Sequence, residues 1–397
     1  MEENVMIERL IRRQEIANEK ILKEIGKTLK EIGYLNPSEL YTISQQLKYG
    51  ESLDKIIKIL SEVSNKNQLE IYKMLEADAR INLNQAKKYY IAKGIDFIPF
   101  KENQPLQNLV KEIGYVTLKK YQNIANTTGL TYIDATGNKV TKPLKQAYYE
   151  IIDEAILNVL TGKETFQKSL KKQLKTLGEN GIQSIEYESG IHRRIDSALR
   201  MNLNDGLNEL AISQQQLIGN QFGNNGWEVT THAYPAPDHE DIQGHLFDKE
   251  NFDKMQSFDY MGEFKDVNGY TYTRSEKEHI RPIGELNCKH WAFAIVLGID
   301  EPRYTQEELN KINEENKKGF EFEGKHYSLY EGTQLQRHLE LEIRKNRETE
   351  ITAKAGGNEE LLLETQKNID YLISKYYKLS KISGLKTRME RTKLLTQ

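Results

Sequence analysis

The chain of 397 residues carries 56 Lys and Arg against 59 Asp and Glu, is 38% hydrophobic, and has a net charge of −3 with a mean hydropathy of −0.70. This length predicts two or three units with a sizeable core, and the near-neutral charge excludes a global pull toward nucleic acid or an anionic membrane. No run of about 18 apolar residues offers a membrane span, the N-terminus lacks the apolar core of a signal peptide, and the single cysteine, Cys288, excludes an intrachain disulfide; the expectation is a soluble protein made in a reducing cytoplasm.

In chain order, Ile7, Leu10, Ile11, Ile16, Ile21, Ile25 and Leu29 share one helical face that ends near Gly33. Asn36-Pro37-Ser38-Glu39 restarts a helix with a polar cap and a first-turn proline. Amphipathic stretches follow at 51–61, 67–77 and 80–93, then an extended connector at 96–100 and a helix at 104–125. Residues 127–139 carry the glycines and asparagine of a short hairpin, and helices are expected at 142–161, 164–179 and 186–221.

The texture changes at Gly223-Asn224-Asn225-Gly226. Trp227–Thr231 reads as a strand, Pro235 and Pro237 mark a turn, and 245–285 has no helical period. The apolar run Trp291–Gly298 reads as a buried strand. A helix at 305–318, a hairpin at 319–329 and helices at 330–354 and 358–383 close the chain, with Gly356-Gly357 as the last break. The expected fold is mainly α with a small α+β module: a helical N-terminal region (1–125), a helical region leading into the core (126–221), the α+β module (222–329) and a helical C-terminal tail (330–397). The Tyr89-Tyr90, Tyr148-Tyr149 and Tyr376-Tyr377 pairs read as half-buried core edges.

Two groups of residues could carry function. Beyond Tyr371 the basic residues Lys375, Lys378, Lys381, Lys386, Arg388, Arg391 and Lys393 face one acid, Glu390; they are candidate phosphate contacts, or simply a solvated helix end. The second group is denser: His232, His239, His245, His279 and His290, five of the eight histidines, lie close to Cys288. His232 and His239 flank the proline turn, and Cys288 and His290 share one face if 288–290 is a strand. Together they offer one sulfur and three nitrogens, a donor set suited to tetrahedral Zn²⁺. The spacing matches no standard zinc finger, so histidines bonding backbone carbonyls to tie a loop together explain the pattern as well. An enzymatic reading, with Asp238, His239, Glu240 and Asp241 around a metal or Cys288–His290 as nucleophile and base, lacks a marked third orienting group; no phosphate loop or Ser elbow accompanies it.

Several blocks resemble the phage minor capsid protein 2 family. Glu186-Tyr187-Glu188-Ser189-Gly190 and His192–Arg200 are similar to the helix preceding that family's core. Thr231-His232-Ala233, Pro235-Ala236-Pro237-Asp238-His239 and Gln243-Gly244 resemble its His, Pro-x-His and Gln-Gly block. Arg281-Pro282-Ile283-Gly284-Glu285-Leu286-Asn287-Cys288-Lys289-His290 resembles its Asn-Cys-Arg-His block, and Tyr304–Leu309 its exit helix. The resemblance runs from about residue 30 to 390; 231–244 and 281–309 are its specific parts. Lys289 stands where arginine is expected, keeping charge but losing the bidentate fork; His245 and His279 fall outside the pattern. The resemblance implies His232, His239, Cys288 and His290 as the site, holding zinc or fastening the module without it. It also implies a non-enzymatic virion protein of the head, akin to Mu-type head-morphogenesis proteins, with the portal or major capsid protein as partner, packaged DNA as a further contact and no membrane. The alternatives are a metal-dependent nuclease or transferase-like effector carried in the virion, and an internal DNA-binding protein.

Overall fold

The computed structural model describes residues 2–34, 43–161, 166–185, 191–276, 279–285 and 288–393. The expected helix restart at 36–39, the stretch Glu186–Gly190, and Leu286 and Asn287 lie outside the described residues. Helices dominate, with small antiparallel sheets, which is the mainly α architecture with an α+β module that the sequence leads one to expect. The chain folds as two compact units: one from 1–69, 119–200 and 335–397, the other from 70–118 and 201–334. All four crossings fall inside helices.

The first unit holds α1 (Glu2–Ile32) and the start of α2 (Ile43–Lys93). Ile7, Leu10, Ile21, Ile25 and Leu29 are buried, as their spacing requires. The three stretches at 51–61, 67–77 and 80–93 form one unbroken α2. The polar run between the first two contains neither proline nor glycine. Just beyond it the buried Asn67 donates Nδ2–H to the Leu10 carbonyl of α1 at 3.2 Å, a tertiary contact that α2 carries without interruption. After α3 (Gln104–Asn126), β1 (Thr128–Ile133) and β2 (Lys139–Pro143) make the expected hairpin, and β3 (Ile182–Ile185) and β4 (His192–Arg194) complete a sheet of order β2-β1-β3-β4. β4 corrects the expected helix from 186: residues 192–194 pair antiparallel with 183–185, and α6 (Ile195–Gln221) starts only afterwards. The helices α4 (Leu144–Thr161) and α5 (Phe166–Asn180) pack on β1, and α1 packs on both.

α9 (Leu329–Gly356) lies against α5 at very short range. A Cβ on Gly178 would stand 2.3 Å from Thr349 Cα and 2.5 Å from its backbone nitrogen, so only glycine fits. Thr352 Oγ1 donates to the Leu174 carbonyl at 2.7 Å across the same contact. α10 (Glu359–Ser383) starts at Asn358, whose side chain accepts from Leu361 N, and ends at Gly384 in the left-handed region. Tyr148 and Tyr376 are buried while Tyr149 and Tyr377 are exposed, so each of these pairs does straddle the core edge.

A buried ion network ties the unit's ends together. Arg194 of β4 pairs with Glu348 of α9 and with Asp196 (Nε–Oδ1 3.3 Å). Arg344 of α9 pairs with Asp196 at 2.7 Å and with Glu15 of α1 at 3.1 Å. Burial works against the Asp196 charge, but Arg194 and Arg344 hold its carboxyl down at about 2. Glu15 goes the other way: desolvation and then the Asp196 charge push it up to about 7.

The second unit holds β5 (Gly226–Val229), β6 (Leu246–Asp248), α7 (Lys249–Gln256), the hairpin β7 (Gly262–Lys265) and β8 (Thr271–Arg274), β9 (Ala292–Ile295), α8 (Gln306–Lys318) and the hairpin β10 (Phe320–Phe322) and β11 (Lys325–Tyr327). Its three-stranded sheet has the order β6-β5-β9. Trp227, Val229, Phe247, Phe252, Phe264 and Ile283 form one buried cluster, with Trp227 stacked on Phe252 at 4.6 Å between centroids. The buried Arg274 donates to the Met255 carbonyl at 2.6 Å and to that of Ser257, closing the C-terminal end of α7 with a positive charge. Among the described residues no helix is long and apolar enough to cross a membrane.

Two measurements test this packing. Gly178→Ala is expected to lower stability by about 1–3 kcal/mol through overpacking, whereas Gly50→Ala, whose Cβ meets nothing within 4 Å, is expected to be neutral or slightly stabilising in a thermal melt. For Glu15, folding raises the pKa from the ordinary 4.5 to about 7. Its contribution is therefore full below about 4.5 and is lost as pH rises through about 7. The Tm of the wild type should fall relative to Glu15→Gln across that window and level off above it; parallel curves would refute the assignment.

Candidate metal centre

The site begins with strand register. β5 pairs antiparallel with β9, Val229 opposite Ala292. The pairing runs one step further, because Thr230 N donates to the Trp291 carbonyl at 2.8 Å and Trp291 N to Thr230 Oγ1 at 3.0 Å. The chain beyond β5 then leaves as a loop, 231–243, that returns to the same strand: Gly244 N donates to the Val229 carbonyl (2.9 Å) and Val229 N to the His245 carbonyl (3.1 Å). Gly244 sits at φ +75°, and a Cβ there would lie 2.4 Å from Leu309 Cδ2, so the loop can close only on glycine.

Inside this closure the side chains of His239, Cys288 and His290 converge. All three are buried, and one ligand atom from each lies within 4.8 Å of the other two. Cys288 Sγ is 3.2 Å from His239 Nδ1 and 3.4 Å from His290 Nδ1. The expected strand alternation is not what unites Cys288 and His290. Both precede β9 in irregular backbone, and His290 N donates to Cys288 Sγ at 3.3 Å, curling the segment around the sulfur. Asn208 of α6 holds the preceding turn by donating to the Gly284 carbonyl at 2.7 Å. His232, the fourth expected ligand, packs its ring at a 30° tilt against that of His290 with centroids 4.2 Å apart and is not among the three converging groups.

The outward nitrogens are held by acceptors. His239 Nε2 lies 2.8 Å from the Arg281 carbonyl, and Arg281 is fixed by a two-point bond to Asp238 (Nε–Oδ2 2.7 Å, Nη2–Oδ1 2.9 Å). Burial opposes the Asp238 charge, but the Arg281 bonds hold its carboxyl below the usual range. His290 Nε2 lies 3.3 Å from Gln243 Oε1, which also accepts His232 N–H at 3.1 Å. Desolvation depresses all three imidazoles: His290 to about 2, with His232 and His239 adding repulsion; His232 to about 4, with Lys289 adding to it; and His239 in the same direction. Burial pushes the Cys288 thiol up, contrary to what a thiolate nucleophile needs.

Gln243 and Arg281 were quoted in the sequence blocks without a role; the structure makes them the groups that orient the two imidazoles. Asn313 of α8, which accepts from Gln243 Nε2 at 3.2 Å, carries no sequence signal. His245 and His279 stand apart from the cluster. His279 is exposed, and His245 Nδ1 meets Asp266 Oδ2 at 2.5 Å, while Asp266 Oδ1 accepts Asn268 N and Tyr270 N, each at 2.9 Å, to form the β7–β8 turn. Of the candidate phosphate contacts, Lys378, Lys381, Lys386 and Lys393 are exposed, and Lys375, Arg388 and Arg391 are half-buried. The segment after α10 folds back: Leu385 is buried, Arg388 N donates to Tyr376 Oη at 2.9 Å, and Arg391 faces Glu340 at 3.8 Å.

Asp266→Ala should therefore release the β7–β8 turn, costing about 2–3 kcal/mol from lost charged hydrogen bonds. The readout is faster amide exchange at Asn268 and Tyr270, with exchange in α9 and α10 unchanged.

No curated protein and no solved structure matches the chain. A family model described as Phage minor capsid protein 2 matches residues 6–376, nearly the whole length, all of the second unit, most of the first and every residue of the His/Cys cluster. The chain belongs to the phage minor capsid protein 2 family.

Proposed function

We propose that this minor capsid protein serves as a structural component of the phage head, bound to the portal or to the inner face of the capsid shell and assisting head assembly. Family membership over residues 6–376 carries the reading, because it places the chain among virion structural proteins. A physical feature of the first unit supports the finer part. α10 leaves Leu363, Tyr371, Tyr377 and Ile382 exposed, and at 100° per residue these fall within one arc of the helix surface. Exposed Lys378 and Lys381 lie on the same arc. A helix face with aromatic and aliphatic anchors interspersed with lysines suits docking onto another protein, where tyrosine is enriched.

The test is assembly. Particles made with Leu363→Ser and Tyr371→Ser together should contain several-fold less of the chain, with the circular dichroism and Tm of the purified variant unchanged. Full incorporation of the folded variant would remove this face from the reading. Wild-type particles that lack the chain altogether would remove the virion role.

A further inference from the structure

The hydrogen-bond pattern around Cys288 leaves a question that protons alone do not answer. Asn313 Nδ2 donates to the Glu240 carbonyl at 3.0 Å, which fixes its other side-chain atom as oxygen. That oxygen accepts from Gln243 Nε2, and Gln243 Oε1 accepts the backbone N–H of His232, which can only donate. Gln243 therefore presents oxygen to His290 Nε2, and this nitrogen must carry the hydrogen. The Arg281 carbonyl imposes the same tautomer on His239. Both Nδ1 atoms consequently point lone pairs at one sulfur, and the thiol has a single hydrogen for the two of them. Protonating His239 would set a second cation beside Arg281 on the single carboxylate of Asp238, which lies 3.7 Å from His239 Nε2, and protonating His290 would bury a cation with no carboxylate in ion-pair contact among the described residues.

We propose that His239 Nδ1, His290 Nδ1 and Cys288 Sγ bind one divalent cation of the zinc class. The spacing suits it: tetrahedral Zn²⁺ with Zn–S of about 2.3 Å and Zn–N of about 2.0 Å sets S···N edges of about 3.5 Å, against 3.2 and 3.4 Å here. One sulfur with two imidazoles is a borderline-soft donor set, which favours zinc over magnesium or calcium. Each imidazole donates its remote N–H to an oxygen, the arrangement that orients histidines on a metal. Binding replaces the thiol hydrogen, so one proton leaves per ion bound. The ion clamps loop 231–243 to the segment before β9. His232 is a packing neighbour of His290 in this assignment, and water takes the fourth position.

The experiment uses the full chain, stripped of metal and titrated with Co²⁺ as a spectroscopic probe, alongside the zinc content of protein loaded with ZnCl₂ and freed of excess. The expected result is about one equivalent per chain, a thiolate-to-cobalt charge-transfer band, the d–d bands of tetrahedral cobalt, and a Tm that falls on chelation. Cys288→Ser, nearly isosteric, should abolish the charge-transfer band, and Gln243→Leu should weaken cobalt binding about 10–100-fold. His232→Ala should bind as the wild type does. Wild-type protein with no stoichiometric metal and no charge-transfer band overturns the proposal whether or not the variants fold. A band retained in Cys288→Ser removes the sulfur from it, and loss of binding in His232→Ala overturns the three-residue assignment.

Discussion

The second unit depends on the register of β5 against β9. Strands alternate faces with a period of two, so a slip of one residue would turn every side chain to the opposite side. With Val229 opposite Ala292 and Thr230 bonded both ways to Trp291, Trp227 and Ala292 go into the core, and the chain ends beyond the pairing carry His232 and His290 to adjacent positions. The same strand supplies Val229 as the closing point of the loop that holds His239. Two segments distant in sequence, the loop that carries His239 and the run 288–290, are thus brought to one sulfur beside a short run of backbone hydrogen bonds.

The two units solve the burial of polar groups differently. The first buries charge: two guanidinium groups and the carboxylates of Asp196, Glu348 and Glu15 link β4, α6, α9 and α1. Such a network is worth little against an apolar replacement, but losing one member of it is expensive, because the remaining charge stays buried. It joins β4, α6, α9 and α1, while α9 meets α5 separately at Gly178. The second unit leaves the arginines of Arg281–Asp238 and Arg303–Glu228 partly exposed, and its interior holds imidazoles, amides and a thiol together with single charged groups, Arg274 on backbone carbonyls and Asp266 on the β7–β8 turn.

Much of this was legible in the sequence because the signals are local. Ile7 to Leu29 repeat at helical spacing, Thr305 with Glu308 forms the capping box of α8, and the glycines of 319–329 mark a hairpin whose turn, Glu323-Gly324, has positive φ at both residues. What misled was polarity taken as punctuation. The mostly polar residues 62–66 separate two amphipathic stretches in the sequence although α2 runs through them, and β4 reads as helix until its pairing with the neighbouring β3 is seen. The His/Cys cluster was visible as composition, yet the choice of three converging groups over four was not. That choice depends on where the His232 ring comes to rest, which is set by packing on His290.

The His/Cys site is built so that a ligand would find its partners already in place. Its orienting groups are complete without an ion: Arg281 is held by Asp238, and Gln243 by Asn313, which is itself held by the Glu240 carbonyl. The imidazoles are consequently preset, and little conformational entropy remains to be lost when the third atom, Cys288 Sγ, gives up its hydrogen. A centre of this kind adds stability to a unit already folded, unlike a zinc finger that has no fold until metal arrives. In a virion structural protein, a clamp formed after folding would raise the resistance of loop 231–243 to opening without altering the register that created it.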